Sequence, residues 1–295
     1  MNWFQVQGFG VFIFNFPPRH CEERSSQIFI KLSTMSPAIN LNPVISVRKE
    51  PAETSELITQ LLFGEVFTCT QVLEKWCQIK NFADGYEGWI DRKMATFISE
   101  QEFETISTRP AHLVFSPFAK IKNIASANPF FLTCGSVIPN YDEKENAFSI
   151  GGTYFFLLEG EVALPRKGNS TLLQVARSFL HVPYLWGGKN FFGIDCSGFV
   201  QVVMSLFGHQ LPRDSKDQAL LGYDIPFEDR QPNDLAFFQN EKGNVVHVGI
   251  ITESRGIIHA SGRVRMDTLT ETGIFSEEDN RQTHLRCKIK RLFFS

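Results

Sequence analysis

The stretch Gly193-Ile194-Asp195-Cys196-Ser197-Gly198-Phe199-Val200 constrains this chain more than any other. It sets a cysteine at a loop-to-helix junction. Glycines and short polar residues surround it, and an apolar, glycine-free run follows from Phe199 to Phe207, ending at Gly208. Such a run reads as a buried helix, and a buried helix needs another layer to cover it. A thiol at its start meets free backbone N–H groups and the positive end of the helix dipole. Both favour thiolate, the nucleophilic form. The dipole alone contributes about 0.3–1 kcal/mol, up to about 2 when partly buried. One pKa unit is about 1.4 kcal/mol, so the helix lowers the thiol by roughly one unit at most. A charged partner such as imidazolium has to supply the rest.

Two downstream histidines are candidates for that partner and its support. His247 lies in Val245-Val246-His247-Val248-Gly249-Ile250, which reads as a strand. On a strand Val246 and Val248 face away from His247, so the ring has a face of its own. His259, in Ile257-Ile258-His259-Ala260-Ser261, is placed to orient the first imidazole through a ring hydrogen bond. A lone strand histidine is more often structural, and a lone cysteine more often a small buried residue. The chain order Cys, His, second polar residue raises these three above that reading and points to nucleophilic hydrolysis. His181, His209 and His284 lack such a setting and are expected on loops or surfaces.

A chain of 295 residues suits two or three domains. The net charge is -3 with no basic tract, which argues against nucleic acid as a partner. The six cysteines are scattered, with no C-x-x-C pair and no metal-ligand spacing, so no metal, cofactor or disulfide framework is expected. Met1–Phe16 is apolar and aromatic, but no Lys or Arg precedes its apolar part and no small-x-small cleavage site follows. It is also too short for a membrane span. The expectation is a cytoplasmic protein, monomeric and without a stable membrane anchor; an atypical export signal would place it in the periplasm or outside the cell. Met35 is a second candidate start, and residues 1–40 are expected to form an extension outside the fold.

Residues 41–99 read as a small all-β unit, with short strand-like runs such as Val44-Ile45-Ser46-Val47 and Trp76-Cys77-Gln78-Ile79 separated by turns at 50–56, 63–64 and 84–85. Residues 100–165 carry a second run of short apolar strands, either a second barrel of the same kind or another β-rich domain or lid. From 168 to 295 the pattern changes to helices first and strands after, an α+β layer whose nucleophile helix packs on the sheet bearing the histidines. Ser170 is the expected cap of a helix from Thr171 to Leu180.

In the first unit, Leu61-Leu-Phe-Gly-Glu65, Trp76-Cys-Gln-Ile79 and Gly85-Tyr-Glu-Gly-Trp-Ile90 resemble a bacterial SH3-like domain. In the last, six segments stand in order: Tyr184-Leu-Trp-Gly-Gly188, Asp195-Cys-Ser-Gly-Phe199, Leu211-Pro-Arg-Asp-Ser215, Asn233-Asp-Leu-Ala-Phe-Phe238, His247-Val-Gly-Ile250 and Ile258-His-Ala260. Together they resemble the NlpC-type cell-wall cysteine peptidases, and the whole architecture is similar to the YkfC-like γ-D-glutamyl-L-diamino acid endopeptidases. The resemblance implies N-terminal SH3-like barrels before a circularly permuted papain-like domain with a Cys196–His247–His259 triad. It implies cleavage of the γ-D-Glu to diamino acid bond in murein peptides with a free N-terminal L-Ala, in cell-wall recycling. Tyr184 would help the Cys196 N–H hold the oxyanion. Asp195 and Ser197 would wall a pocket for the substrate's amine, Asp214 and Ser215 would contact the peptide, and Glu65 of the first barrel would supply an acid to the ammonium. One departure is Asn233, where a glycine is usual before Asp234.

Three other readings stand beside this one. An exported hydrolase could remodel intact peptidoglycan, a non-catalytic protein could use its barrels to bind the wall, and an acyltransferase could share the fold.

Overall fold

The computed structural model describes residues 35–292 except 127, 167, 169 and 254. Residues 1–34, with Cys21 and most of the expected extension, therefore lie outside the described residues. The extension is shorter than expected, because Ser36–Ile39 is a strand, paired with Val66–Val72 on one side and Thr96–Phe97 on the other. Its residues Ala38 and Ile39 are wholly buried. Nothing in the local composition marks this strand, since its partners lie about thirty residues away or further.

The first unit, the SH3-like barrel expected from the sequence, is a seven-stranded antiparallel sheet. The alternation of buried and exposed residues along Val44–Arg48 and Trp76–Asn81 turns Ile45, Val47, Cys77 and Ile79 inward onto Leu61, Phe67 and Ile90. Beyond it comes α1 (Glu100–Thr108), capped by Ser99. Two small antiparallel sheets follow. One contains Phe118–Asn123, Phe130–Thr133, Ala147–Ile150 and Thr153–Glu159; the other contains His112–Val114, Val137–Ile138 and Val162–Ala163. Their core is continuous with the barrel, since Ile39, Phe63 and Val66 pack among Ile121, Leu132, Phe148 and Phe155.

The remainder is an α+β layer. Helix α2 (Leu172–Ser178) is capped by Thr171, one residue after the expected Ser170, in a reciprocal capping box with Gln174. Helix α3 (Cys196–Leu206) begins at the cysteine itself and ends before Gly208, which takes a φ of 82°. A one-turn helix, α4 (Ser215–Gln218), follows. The covering sheet has seven strands in the order Tyr223–Ile225, Arg281–Arg291, Leu235–Gln239, Val245–Ile251, Gly256–Ser261, Arg263–Leu269 and Gly273–Ser276. Phe199, Val200 and Val203 of α3 pack on Phe237, Val248, Ile250 and Ile258. Asn233 holds a φ of 77°, so it occupies the left-handed conformation that a glycine would favour, and asparagine tolerates it.

The barrel is docked on the catalytic layer by polar contacts. The Gln60 side-chain carbonyl accepts from the Lys189 N–H at 2.8 Å and from Asn190 Nδ2 at 2.7 Å. Gln201 Nε2 of α3 donates to Asp84 at 2.9 Å. At the same seam Gly187 has a φ of 76°, and a Cβ there would come within 2.4 Å of the Leu57 carbonyl oxygen. Left-handed strain adds about 1–2 kcal/mol to that clash. Gly187→Ala is therefore expected to destabilise the protein by at least about 1–2 kcal/mol in denaturant unfolding. Unchanged stability would show that the barrel does not press on this turn.

Candidate active site

Residue Cys196 sits 6% exposed at the first position of α3, and Asp195 is the cap. The Asp195 carboxylate is fully engaged. Its Oδ1 accepts from the Gly198 N–H at 2.7 Å and from Arg213 Nη1 at 2.9 Å, and Oδ2 accepts from the Gly187 N–H at 2.9 Å and from Arg213 Nη2 at 2.5 Å. Arg213, itself buried, also donates to Ser197 Oγ at 2.9 Å and to Thr59 Oγ1 of the barrel at 2.8 Å. The residue expected to receive a free amine, Asp195, is thus already bound to its neighbours. Its charge is matched by a guanidinium, and it holds the helix start, the Trp186–Gly188 turn and Arg213 together. Ser197 is tied into the same network.

Burial pushes the Cys196 thiol up to about 12, and the Asp195 charge adds to it, while the backbone N–H groups of Val248 and Ser197 and the Arg213 charge pull the other way. The helix start was expected to favour thiolate; here desolvation is larger than the help it supplies. The Val248 contact also brings the strand of His247 onto the sulfur. Burial likewise drives the His247 imidazole well below its ordinary value, helped by His259 and His284. Neither group ionises readily alone. Transfer of a proton from such a thiol to such a ring would let each charge compensate the other.

The sheet sets which ring nitrogen receives that proton. His247 Nε2 lies 2.8 Å from His259 Nδ1, and His259 Nε2 lies 3.0 Å from Asp267 Oδ2. Asp267 is held in turn by Arg265 Nη2 at 3.0 Å. Burial works against the Asp267 charge, but the hydrogen bonds from His259 and Arg265 outweigh it and keep its carboxyl below the ordinary range. A carboxylate only accepts, so His259 carries its proton on Nε2 and accepts on Nδ1 from His247 Nε2–H. The free lone pair of His247 is then on Nδ1. His259 thus lies against the His247 ring, with Asp267 behind it, a contact that the sequence reading missed. The available signal was Arg263, Arg265 and Asp267 at strand spacing on one face.

The cysteine opens into a groove of about 560 Å³ that reaches the barrel. Tyr184, Asp195, Ser197, Asp214 and Ser215 all line it, as expected, and so do Glu56, Tyr86, Trp186 and Arg213. Burial and the nearby Cys196 and Asp195 charges raise the Tyr184 phenol, which therefore keeps its proton and can donate. At the barrel end Tyr86 OH donates to Asp214 Oδ1 at 3.0 Å, and Trp186 Nε1 donates to Glu56 Oε1 at 2.9 Å. Glu65 does not line this groove. Its turn folds back so that Oε2 accepts from the Leu62 N–H at 2.6 Å and Oε1 pairs with the buried Lys189 Nζ at 3.0 Å. The acid expected at the groove end was Glu65; the barrel carboxylate that lines the groove is instead Glu56, at the close of the 50–56 turn, while Glu65 clamps the two domains together. His284 also departs from expectation, since it lies on the sheet with its ring stacked on His247 at 4.2 Å between centroids.

Comparison with known proteins gives matches to both parts of the chain. Residues 181–280 match the NlpC/P60 family, and residues 47–93 match the bacterial dipeptidyl-peptidase Sh3 domain. A γ-D-glutamyl-L-lysine dipeptidyl-peptidase of Bacillus subtilis (strain 168) is 30% identical over 259 residues, 80% of this chain and 81% of the relative. A protein of the same name from Bacillus cereus (strain ATCC 10987 / NRS 248) is 28% identical over 236 residues, 70% of this chain and 68% of the relative. The crystal structure of an NlpC/P60 family protein from Bacillus cereus ATCC 10987 shares the fold, with a TM-score of 0.72 at 21% identity over 87% of this chain and 99% of that one.

The depressed His247 value has a consequence for pH. Its neutral, proton-accepting form persists below the ordinary imidazole range, and the raised thiol sets no limit on the alkaline side near neutrality. The acid limb of the kcat/KM profile is expected below pH about 6.5. A limb at or above that value would contradict a base desolvated in this way.

Proposed function

The chain belongs to the NlpC/P60 family and is a cysteine peptidase, and we propose that it cleaves the γ-D-glutamyl to diamino acid bond of short murein peptides bearing a free N-terminal L-Ala. The observation that carries this reading is the composition of the groove end. Glu56 and Tyr86 come from the barrel and Asp214 from the catalytic domain, and all three line the cavity that contains Cys196. Lys49 Nζ lies 3.4 Å from Glu56 and Lys216 Nζ 3.8 Å from Asp214, both on exposed side chains, so an ammonium would take the place of these loosely held lysines and donate its hydrogen bonds to the two carboxylates and the phenol oxygen. Residues of the barrel, among them Ile58 and Glu87, line that end of the groove. An intact wall strand, whose L-Ala nitrogen is amide-linked to sugar, would lose the ion pair and meet the barrel. The names borne by the Bacillus relatives favour the same bond. Recycling of released murein peptides in the cytoplasm is the setting this selectivity suits.

In the proposed reaction Cys196 Sγ attacks the γ-carbonyl carbon and passes its proton to His247 Nδ1. The oxyanion forms against the Cys196 N–H and the Tyr184 hydroxyl. His247 then returns the proton to the departing amine of the diamino acid. Water, deprotonated by His247, attacks the thioester, releases L-Ala-D-Glu and restores the thiol. Asp214 and Ser215 would hold the peptide backbone while Asp195 and Ser197, locked on Arg213, keep the helix start rigid.

Mass spectrometry of L-Ala-γ-D-Glu-diaminopimelate incubated with the protein tests both parts. Cys196→Ala is expected to abolish hydrolysis. Acetylating the L-Ala amine is expected to lower kcat/KM by at least about tenfold, because the carboxylates lose their partner. Activity retained in the alanine variant would sink the mechanism, and equal turnover of free and blocked peptides would point instead to remodelling of intact peptidoglycan.

A further inference from the structure

We propose that His284 is a positioning residue for the catalytic base, its imidazole serving as a fixed plate on which the His247 ring lies flat. The inference rests on the reading of Cys196 and His247 as the reacting pair. A hydrogen bond from Nε2 to His259 fixes one corner of the His247 ring but leaves it free to rock about that contact. Rocking carries Nδ1 toward or away from the nucleophile. The two rings are 4.2 Å apart between centroids and 23° from parallel, so the whole face of His247 is supported. The other neighbours meet it differently. His259 stands edge-on at 85° and Phe238 is tilted at 44°. Among these rings only the His284 plate resists rotation out of plane.

The plate is itself well held. Its Nδ1 lies 2.9 Å from Thr283 Oγ1, and Phe238 meets its edge at 6.0 Å and 61°. Its backbone is pressed by the adjacent strand, for a Cβ on Gly273 would come within 1.8 Å of the His284 carbonyl oxygen. The plate must also stay neutral, since His247 becomes an imidazolium during the reaction. The groups that face His284 are Thr283 on its own strand, Phe238 on the strand paired with it, His247 and His259 on the next two strands of the sheet, and Asp267. Burial and His259 lower it to about 4 against the opposing pull of Asp267, so it carries no charge near neutrality.

The test uses the full chain and two readouts. The first is the rate at which iodoacetamide alkylates Cys196 between acid and neutral pH, followed on the Cys196 peptide by mass spectrometry. The second is kcat and KM for the murein peptide. His284→Phe keeps a flat, uncharged ring and is expected to stay within about threefold of the parent in both. His284→Ala is expected to lower kcat and the alkylation rate together by about tenfold or more, with KM nearly unchanged. Should the alanine variant fail to fold, His284→Gln, which fills space without a ring, takes its place with the same expectation. Parent-like alkylation in the ring-less variant, or a phenylalanine variant as slow as it, would overturn the proposal. Alkylation needs no substrate, so a chain that left murein peptides intact yet depended on His284 for thiol reactivity would sink the substrate reading and leave this inference standing.

Discussion

The buried ion pair between Asp195 and Arg213 is the contact on which the rest of the site depends. Their side chains are 8% and 2% exposed, and the pair joins three parts of the molecule. Asp195 starts the cysteine helix, its second oxygen holds the turn that carries Trp186, and Arg213 reaches Thr59 in the barrel. Breaking such a pair by removing one partner typically costs about 3–5 kcal/mol, because the other charge stays buried. The groove therefore has a rigid wall where the nucleophile stands. It also has a barrel that cannot shift without disturbing that wall. Glu65 with Lys189, Gln201 with Asp84, and Tyr86 with Asp214 extend the same seam on either side.

Enclosure of this kind sets the chemistry. A thiol this deep is held protonated by desolvation, and a histidine this deep is held neutral. The site compensates with direction. Asp267 fixes the tautomer of His259, His259 fixes that of His247, and the proton of the nucleophile has one lone pair to go to. The charge separation that water would have stabilised is confined to the reacting pair and appears when substrate fills the groove.

Much of this was legible in local pattern. The helix of Cys196, the strands of His247 and His259, their order, and the two-part architecture all follow from short segments whose periodicity or motif is complete in itself. What escaped notice depends on contacts between distant residues. Glu56 acts beside Trp186, 130 residues away, and Tyr86 beside Asp214, 128 away. Neither carries a local signature that separates it from an ordinary turn residue. Glu65 sat in the right motif, but its carboxylate bends back to its own turn and to Lys189, a contact that no strand pattern encodes. Asp195 was read correctly as polar at the helix start. Its partner Arg213 stood in a quoted motif, yet only the fold shows that the two charges cancel. His284 has no neighbour in sequence that marks it; the pairing of its strand with Leu235–Gln239 brings it to the base.

The central claim is that the barrel and the catalytic domain together read a free amine at the barrel end of the groove. The most direct measurement is a crystal structure of the Cys196→Ala variant with L-Ala-γ-D-Glu-diaminopimelate bound. The account predicts the L-Ala nitrogen within about 3 Å of carboxylate oxygens of both Glu56 and Asp214, with the γ-carbonyl over residue 196 and facing the Tyr184 hydroxyl. A peptide bound with its amine directed out of the groove into solvent would contradict it.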